Sequence, residues 1–217
     1  MDKSYVIDNI FELLYPSNVA CCICGQEAHF DGPPYICESC KNDLDFLNKK
    51  MTLKVSKKEM TVYCAFEYEE PIKQLIHDFK YNGKRYIAKS LAFYLNKLIE
   101  QNSLDYDMIT PVPLHKNRLK ERGFNQCSVL CREMDREHIK KYEEVLIRTR
   151  DTKMQTLIPA EERYTNLLGA FDIKKDVKGR NILLIDDVMT TGSTLKENCD
   201  VLYKNGANNV IGLTIAT

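Results

Sequence analysis

Apolar residues gather along this chain into short runs and helical stripes set apart by polar turns. The run Ile182-Leu183-Leu184-Ile185 is unbroken, as suits a strand buried on both faces, and Leu195, Cys199, Leu202 and Tyr203 then recur at helical spacing over Ser193 to Lys204. Met60 to Tyr68 alternates as a strand does, while Ile72, Leu75, Ile76 and Phe79 give Pro71 to Tyr81 the stripe of a helix. A strand over 107–112 is stopped by Pro111 and Pro113, a helix follows over Phe124 to Met134, and Val145 to Ile147 makes another short strand. Pro159 opens a helix towards Gly169, and Ala207 to Thr217 supplies the last strand. Upstream, Val6, Ile10, Leu13 and Leu14 share one face of a helix that Pro16 closes. Strands alternating with helices predict an α/β fold: a mostly parallel sheet with helices on both faces and the ligand at the carboxyl ends of its strands.

A chain of 217 residues is long enough for one core domain with a small appendage. The polar, lysine-rich stretch Asn42 to Lys58 reads as a hinge between them, so residues 1–58 are expected to hold the N-terminal helix, a cysteine lobe and a linker, and 59–217 the main domain. Lysines and arginines balance aspartates and glutamates, leaving a formal charge of zero and no bulk electrostatic case for nucleic acid or membrane. No run approaches the roughly 18 apolar residues of a membrane span, and Asp2, Asp8 and Glu12 spoil a signal peptide. A cytoplasmic location is the expectation.

Chemistry enters first through the cysteines. Cys21 and Cys24 form one C-x-x-C pair and Cys37 and Cys40 a second, twelve residues further on. Two such pairs on tight turns bring four thiolates to a tetrahedral centre, the pattern of a zinc ribbon, with Gly25 letting the backbone turn around the sulfurs. Disulfides do not suit a cytoplasmic chain, and a thioredoxin-like motif would be a single pair opening a helix. A site filled by four thiolates has no open position, so its zinc is structural.

The second chemical signal follows the Ile182–Ile185 run. Asp186 and Asp187 stand where the strand ends, then Val188 and Met189, then Thr190-Thr191-Gly192-Ser193-Thr194 opening the helix. Backbone N–H groups of such a turn can face an anion while the acids lie beside it. Neither G-x-x-x-x-G-K-[ST] nor G-x-G-x-x-G is present here. The plainer reading is a strand-to-helix turn in which Asp187 and Ser193 merely cap the helix. Basic residues cluster twice more: Lys80, Lys84, Arg85 and Lys89 around Asn82-Gly83, and Lys116, Arg118, Lys120 and Arg122 before Gly123. The first is either a solvated helix-to-helix connection or a mobile cover that neutralises pyrophosphate, and in the second Arg118 and Arg122 either stabilise loops against backbone carbonyls or meet phosphate.

Apolar residues, paired acids and then Thr-Thr-Gly-x-Thr resemble the signature of type I phosphoribosyltransferases. That resemblance implies that Asp186 and Asp187 hold the ribose hydroxyls of phosphoribosyl pyrophosphate (PRPP), while Thr190, Thr191, Gly192, Ser193 and Thr194 hold its 5′-phosphate. Pro111-Val112-Pro113-Leu114, Arg118-x-x-x-Arg122-Gly-Phe-Asn-Gln, Arg148-Thr-Arg-Asp-Thr-x-x-Gln155 and Arg163-x-x-Asn166-x-x-Gly-Ala-Phe narrow it. With the cysteine ribbon, they are similar to the ComF family of competence and DNA-uptake proteins. Pyrophosphate gains charge as it leaves C1, and the planar forks of Arg118 and Arg122 suit its oxygens, with Lys84 or Arg85 closing over the top. Mg²⁺ would bridge the ribose hydroxyls and pyrophosphate. Two roles stay open: a phosphoribosyltransferase serving DNA uptake or nucleotide salvage on a base or nucleotide acceptor, or a PRPP-binding sensor or adaptor contacting competence proteins or single-stranded DNA.

Overall fold

The computed structural model describes residues 20–134, 141–152 and 166–217. The expected N-terminal helix, most of the helix expected from Pro159, Gln155 and Arg163 lie outside the described residues. In order come α1 (Glu38–Asn42), β1 (Lys49–Val55), β2 (Lys58–Phe66), α2 (Ile72–Tyr81), α3 (Ile87–Gln101), β3 (Met108–Pro111), α4 (Lys116–Arg122) and α5 (Gln126–Glu133). The remainder are β4 (Leu146–Arg148), β5 (Phe171–Ile173), β6 (Asn181–Val188), α6 (Ser193–Lys204) and β7 (Asn209–Ala216).

Five strands form the main sheet in the order β1-β2-β7-β6-β3. All neighbours run parallel except β1, which returns antiparallel along β2. Strand β6 sits inside the sheet, and the reason is in its side chains. Leu183 and Ile185 pack with α2, α3 and α5 on one face, whereas Ile182 and Leu184 pack with Leu195, Cys199 and Leu202 of α6 on the other. An apolar run without polar alternation is what burial on both faces requires. At its carboxyl end the run gives way to Asp186 and Asp187, which stay in the strand and remain buried.

The stretch Asn42 to Lys58 departs from the expected hinge, because it contains β1. Its lysines Lys50 and Lys54 alternate with Met51, Leu53 and Val55, and only the latter set packs against the core. Charged side chains on an outer strand discourage pairing with another chain, so lysine richness here marks a sheet edge. The cysteine lobe is likewise docked and not hinged. Cys21, Ile36, Cys40 and Leu44 share one core with Leu91, Leu95 and other residues of α3, and Ser90 donates a hydrogen bond to the carbonyl of Pro34. Among the described residues no helix is long and apolar enough to cross a membrane.

Candidate functional site

Both sequence-predicted centres take shape in the fold. In the cysteine lobe the Sγ atoms of Cys21, Cys24, Cys37 and Cys40 all lie within 4.8 Å of one another. The turn at Gly25, with φ of 74°, lets Gly25 donate to the Cys21 carbonyl, and Sγ of Cys21 accepts from the backbone N–H of Ile23 and of Cys37, each at 3.4 Å. Burial pushes the Cys21 thiol up, but N–H groups of Cys37, Cys24 and Ile23 outweigh it and hold the pKa at about 6. Burial and the neighbouring thiols push Cys40 well up. Four converging soft donors with backbone support match a closed zinc site.

At the other centre, Asp186 and Asp187 border a cavity of about 230 Å³ with Thr190, Thr194, Arg118, Arg122 and Arg148. Thr191 and Ser193 hydroxyls lie 2.7 Å apart. Gly192 takes a left-handed φ of 72° as the residue before α6, and no side chain caps the helix there. Capping by the residue before the helix therefore does not account for this turn; the Ser193 N–H instead lies 3.4 Å from Thr191 Oγ1, and an anion at this end of α6 would compete with that contact. Gly192 is also needed for space, since a Cβ would stand 2.9 Å from Cδ1 of Leu53 on β1.

The acids do not share one environment. The Lys80 ammonium at the end of α2 lies 2.7 Å from Oδ2 of Asp187, and Val188 N–H donates to Oδ1 at 2.8 Å. Burial pushes Asp187 up, but the attraction and hydrogen bond of Lys80 pull it below the ordinary carboxylate range. Asp186 receives the Asp187 N–H at 3.0 Å and has the Cys127 thiol at 3.7 Å. Burial first, then the charge of Asp187, push its pKa to about 7. Burial and both acids push Cys127 well up, so it stays a thiol.

This asymmetry gives a pH dependence. The folded pKa of Asp186 lies above its unfolded value of about 4, so native protein holds the proton more tightly. The resulting stability is fully present below pH 4 and is lost as pH rises through 7. Asp186→Asn removes that loss: its thermal midpoint at pH 8 should exceed the wild type's by several degrees, the gap shrinking by pH 5. Parallel melts that keep the same gap at both pH values would contradict it.

Among the basic residues, structure separates what sequence grouped. Arg122 stacks over the Tyr81 ring at 4.9 Å and donates to Gln126 Oε1 at 2.7 Å. Arg118 donates to the Thr152 carbonyl at 3.3 Å. Lys84 turns away to Asp78, 2.8 Å distant, and does not line the cavity. Arg85 stacks over Phe124 at 4.5 Å beside an adjoining cavity of about 380 Å³, which Lys80, Arg118 and Arg122 also border. Sequence reasoning had not assigned Lys80, Gln126, Cys127 or Arg148 to the acids' cavity. Lys80 was legible, because four residues after Ile76 it falls on the apolar stripe of α2. Burial, then Arg118, hold Arg148 down to about 10, and its Nε is buried with no hydrogen-bond partner among the described residues. Two guanidiniums that oppose each other across one cavity are relieved by an anion.

The family described as phosphoribosyl transferase domain matches residues 137–217, the segment holding the acids and the loop. The chain is 37% identical to DNA utilization protein YhgH of Escherichia coli over 150 residues, which is 66% of either chain. It is 32% identical to Competence protein F of Haemophilus influenzae, again over 66% of each, and 30% identical to Competence protein ComFC of Bacillus subtilis over 65% of this chain and 58% of that one. The matched stretch thus spans just under two thirds of the first two relatives and less of the third.

Proposed function

We propose, from the premise that this chain belongs to the ComF family of competence proteins with a phosphoribosyltransferase domain, that it binds PRPP with Mg²⁺ and transfers its phosphoribosyl group. The observation that carries this reading is the single cavity bordered by two buried acids, a glycine-hydroxyl turn at a helix N-terminus and three arginines. In that reading Asp186 and Asp187 accept the ribose hydroxyls, and the turn from Thr190 to Thr194 donates to the 5′-phosphate. Placing acids on the sugar and donors on the phosphate keeps like charges apart. Arg118, Arg122 and Arg148 receive the leaving pyrophosphate, whose charge grows as the bond to C1 breaks. Arg85 is the better candidate of the two proposed for closing above it, since Lys84 is tied to Asp78.

The hard carboxylate oxygens fit Mg²⁺, which supplies charge neutralisation at the pyrophosphate when bound. With Lys80 already on Asp187, most ligands of the ion would come from PRPP itself. The four-cysteine site would hold one structural Zn²⁺. The role follows the names of the relatives: DNA utilization or competence, with a base or nucleotide as acceptor. Calorimetric titration of PRPP with Mg²⁺, followed by assay of pyrophosphate release across bases, nucleosides and amines, tests it. Saturable binding and release stimulated by one acceptor are expected. Failure to bind would refute the reading, and binding without release would assign the protein to the PRPP sensors.

A further inference from the structure

Two adjacent carboxylates buried at a strand end need a positive charge whenever the ligand is away. The chain supplies one. Lys80 lies in the last turn of α2, four residues after the buried Ile76, and only 16% of its side chain is exposed. Its ammonium sits 2.7 Å from Oδ2 of Asp187 and feels the attraction of Asp186 as well.

Lys80 also borders two cavities at once. One holds the acids with Arg118, Arg122 and Arg148 on its border; the other shares Arg118 and Arg122, adds Arg85 and has the single acid Glu121. A divalent ion and this ammonium compete for the same carboxylate oxygens, so binding of the ion to the empty site requires Lys80 to leave Asp187 for a cavity already crowded with positive charge. Arrival of a polyphosphate reverses that balance, because its oxygens both accompany the ion and give the ammonium a new partner. The geometry points to Lys80 as a tethered counter-ion that holds the acids in the free protein and makes divalent-cation entry conditional on the phosphorylated ligand. This inference rests on the PRPP reading for the identity of the ligand only. Lys80 is here a positioning residue, acting through Asp187.

The test uses Mn²⁺ alone, without PRPP, measured by electron paramagnetic resonance on full-length, zinc-loaded protein. Wild type should bind Mn²⁺ no more tightly than the millimolar range. Lys80→Met leaves Asp186, Asp187 and the Cys127 thiol, whose ligand atoms lie within 4.8 Å of one another, without their cation. Mn²⁺ affinity should then rise by at least about tenfold. Adding Asp187→Asn to Lys80→Met should return it to the wild-type level. Should Lys80→Met fail to fold, Lys80→Gln keeps a polar contact with Asp187 without the charge and is expected to tighten Mn²⁺ in the same direction. Equal affinity in the wild type and a folded Lys80 variant, or micromolar binding by wild type, overturns the inference. A protein that ignores PRPP yet shows the Mn²⁺ increase would refute the ligand assignment and leave the counter-ion role standing.

Discussion

Replacing Asp186 and Asp187 together by asparagine is expected to lower the affinity for PRPP with Mg²⁺ by about a hundredfold to ten-thousandfold. Hydrogen bonds to a charged group contribute about 1.5 to 3 kcal/mol each, so weakening two removes roughly 3 to 6 kcal/mol of binding. Stability responds in two opposed ways. The Asp186 substitution relieves a carboxylate whose ionisation burial resists, while the Asp187 substitution strands the Lys80 ammonium without its partner. Sequence alone argues only for the relief, since adjacent acids repel. With both terms present, the double variant should keep its secondary structure and melt within a few degrees of the wild type at neutral pH. Side-by-side calorimetric titrations decide the matter, and equal affinities would mean that these acids do not hold the sugar.

Stripping zinc should have the largest effect on stability. We expect one zinc per chain in protein purified without chelator, and a measured content below half an equivalent would sink the assignment. Structural zinc contributes about 10 to 16 kcal/mol to a finger at neutral pH, more than a lobe this small gains by burial. Chelation should therefore unfold the segment around Cys21 to Leu44 while β6 and β7 stay protected in amide exchange. The shared core adds a further consequence: losing Ile36, Cys40 and Leu44 bares the packed face of α3, so the remaining sheet should melt at a lower temperature than in the zinc-loaded protein.

Both centres were legible because their chemistry is local. Cys21, Cys24, Cys37 and Cys40 announce themselves by spacing, and Asp186 to Thr194 form one continuous stretch in which an apolar run fixes the strand and hence the place of the acids. The mostly parallel sheet followed from alternation of strand and helix patterns, whereas its strand order and the separate β4–β5 pair did not. What stayed hidden depends on direction. Lys80, Lys84 and Arg85 look equivalent as a basic turn, yet one faces Asp187, one Asp78 and one the Phe124 ring. Composition counts charges but does not aim them. Likewise β1 was hidden by its lysines: an edge strand is polar on one side for the same reason that a linker is polar on all sides, and only the register against β2 separates the two.

That edge strand bears on how the protein can be divided. Leu53 of β1 lies beneath Gly192, and the β1–β2 turn is pinned to α6 by the Ser56 hydroxyl, 2.5 Å from Oδ1 of Asp200. Cutting the chain at residue 59, where the periodic pattern invites a boundary, would discard the floor of the Thr190–Thr194 turn along with the ribbon. The two halves are thus not interchangeable modules: any exchange of the cysteine lobe between relatives that aims to preserve the turn has to join before Lys49.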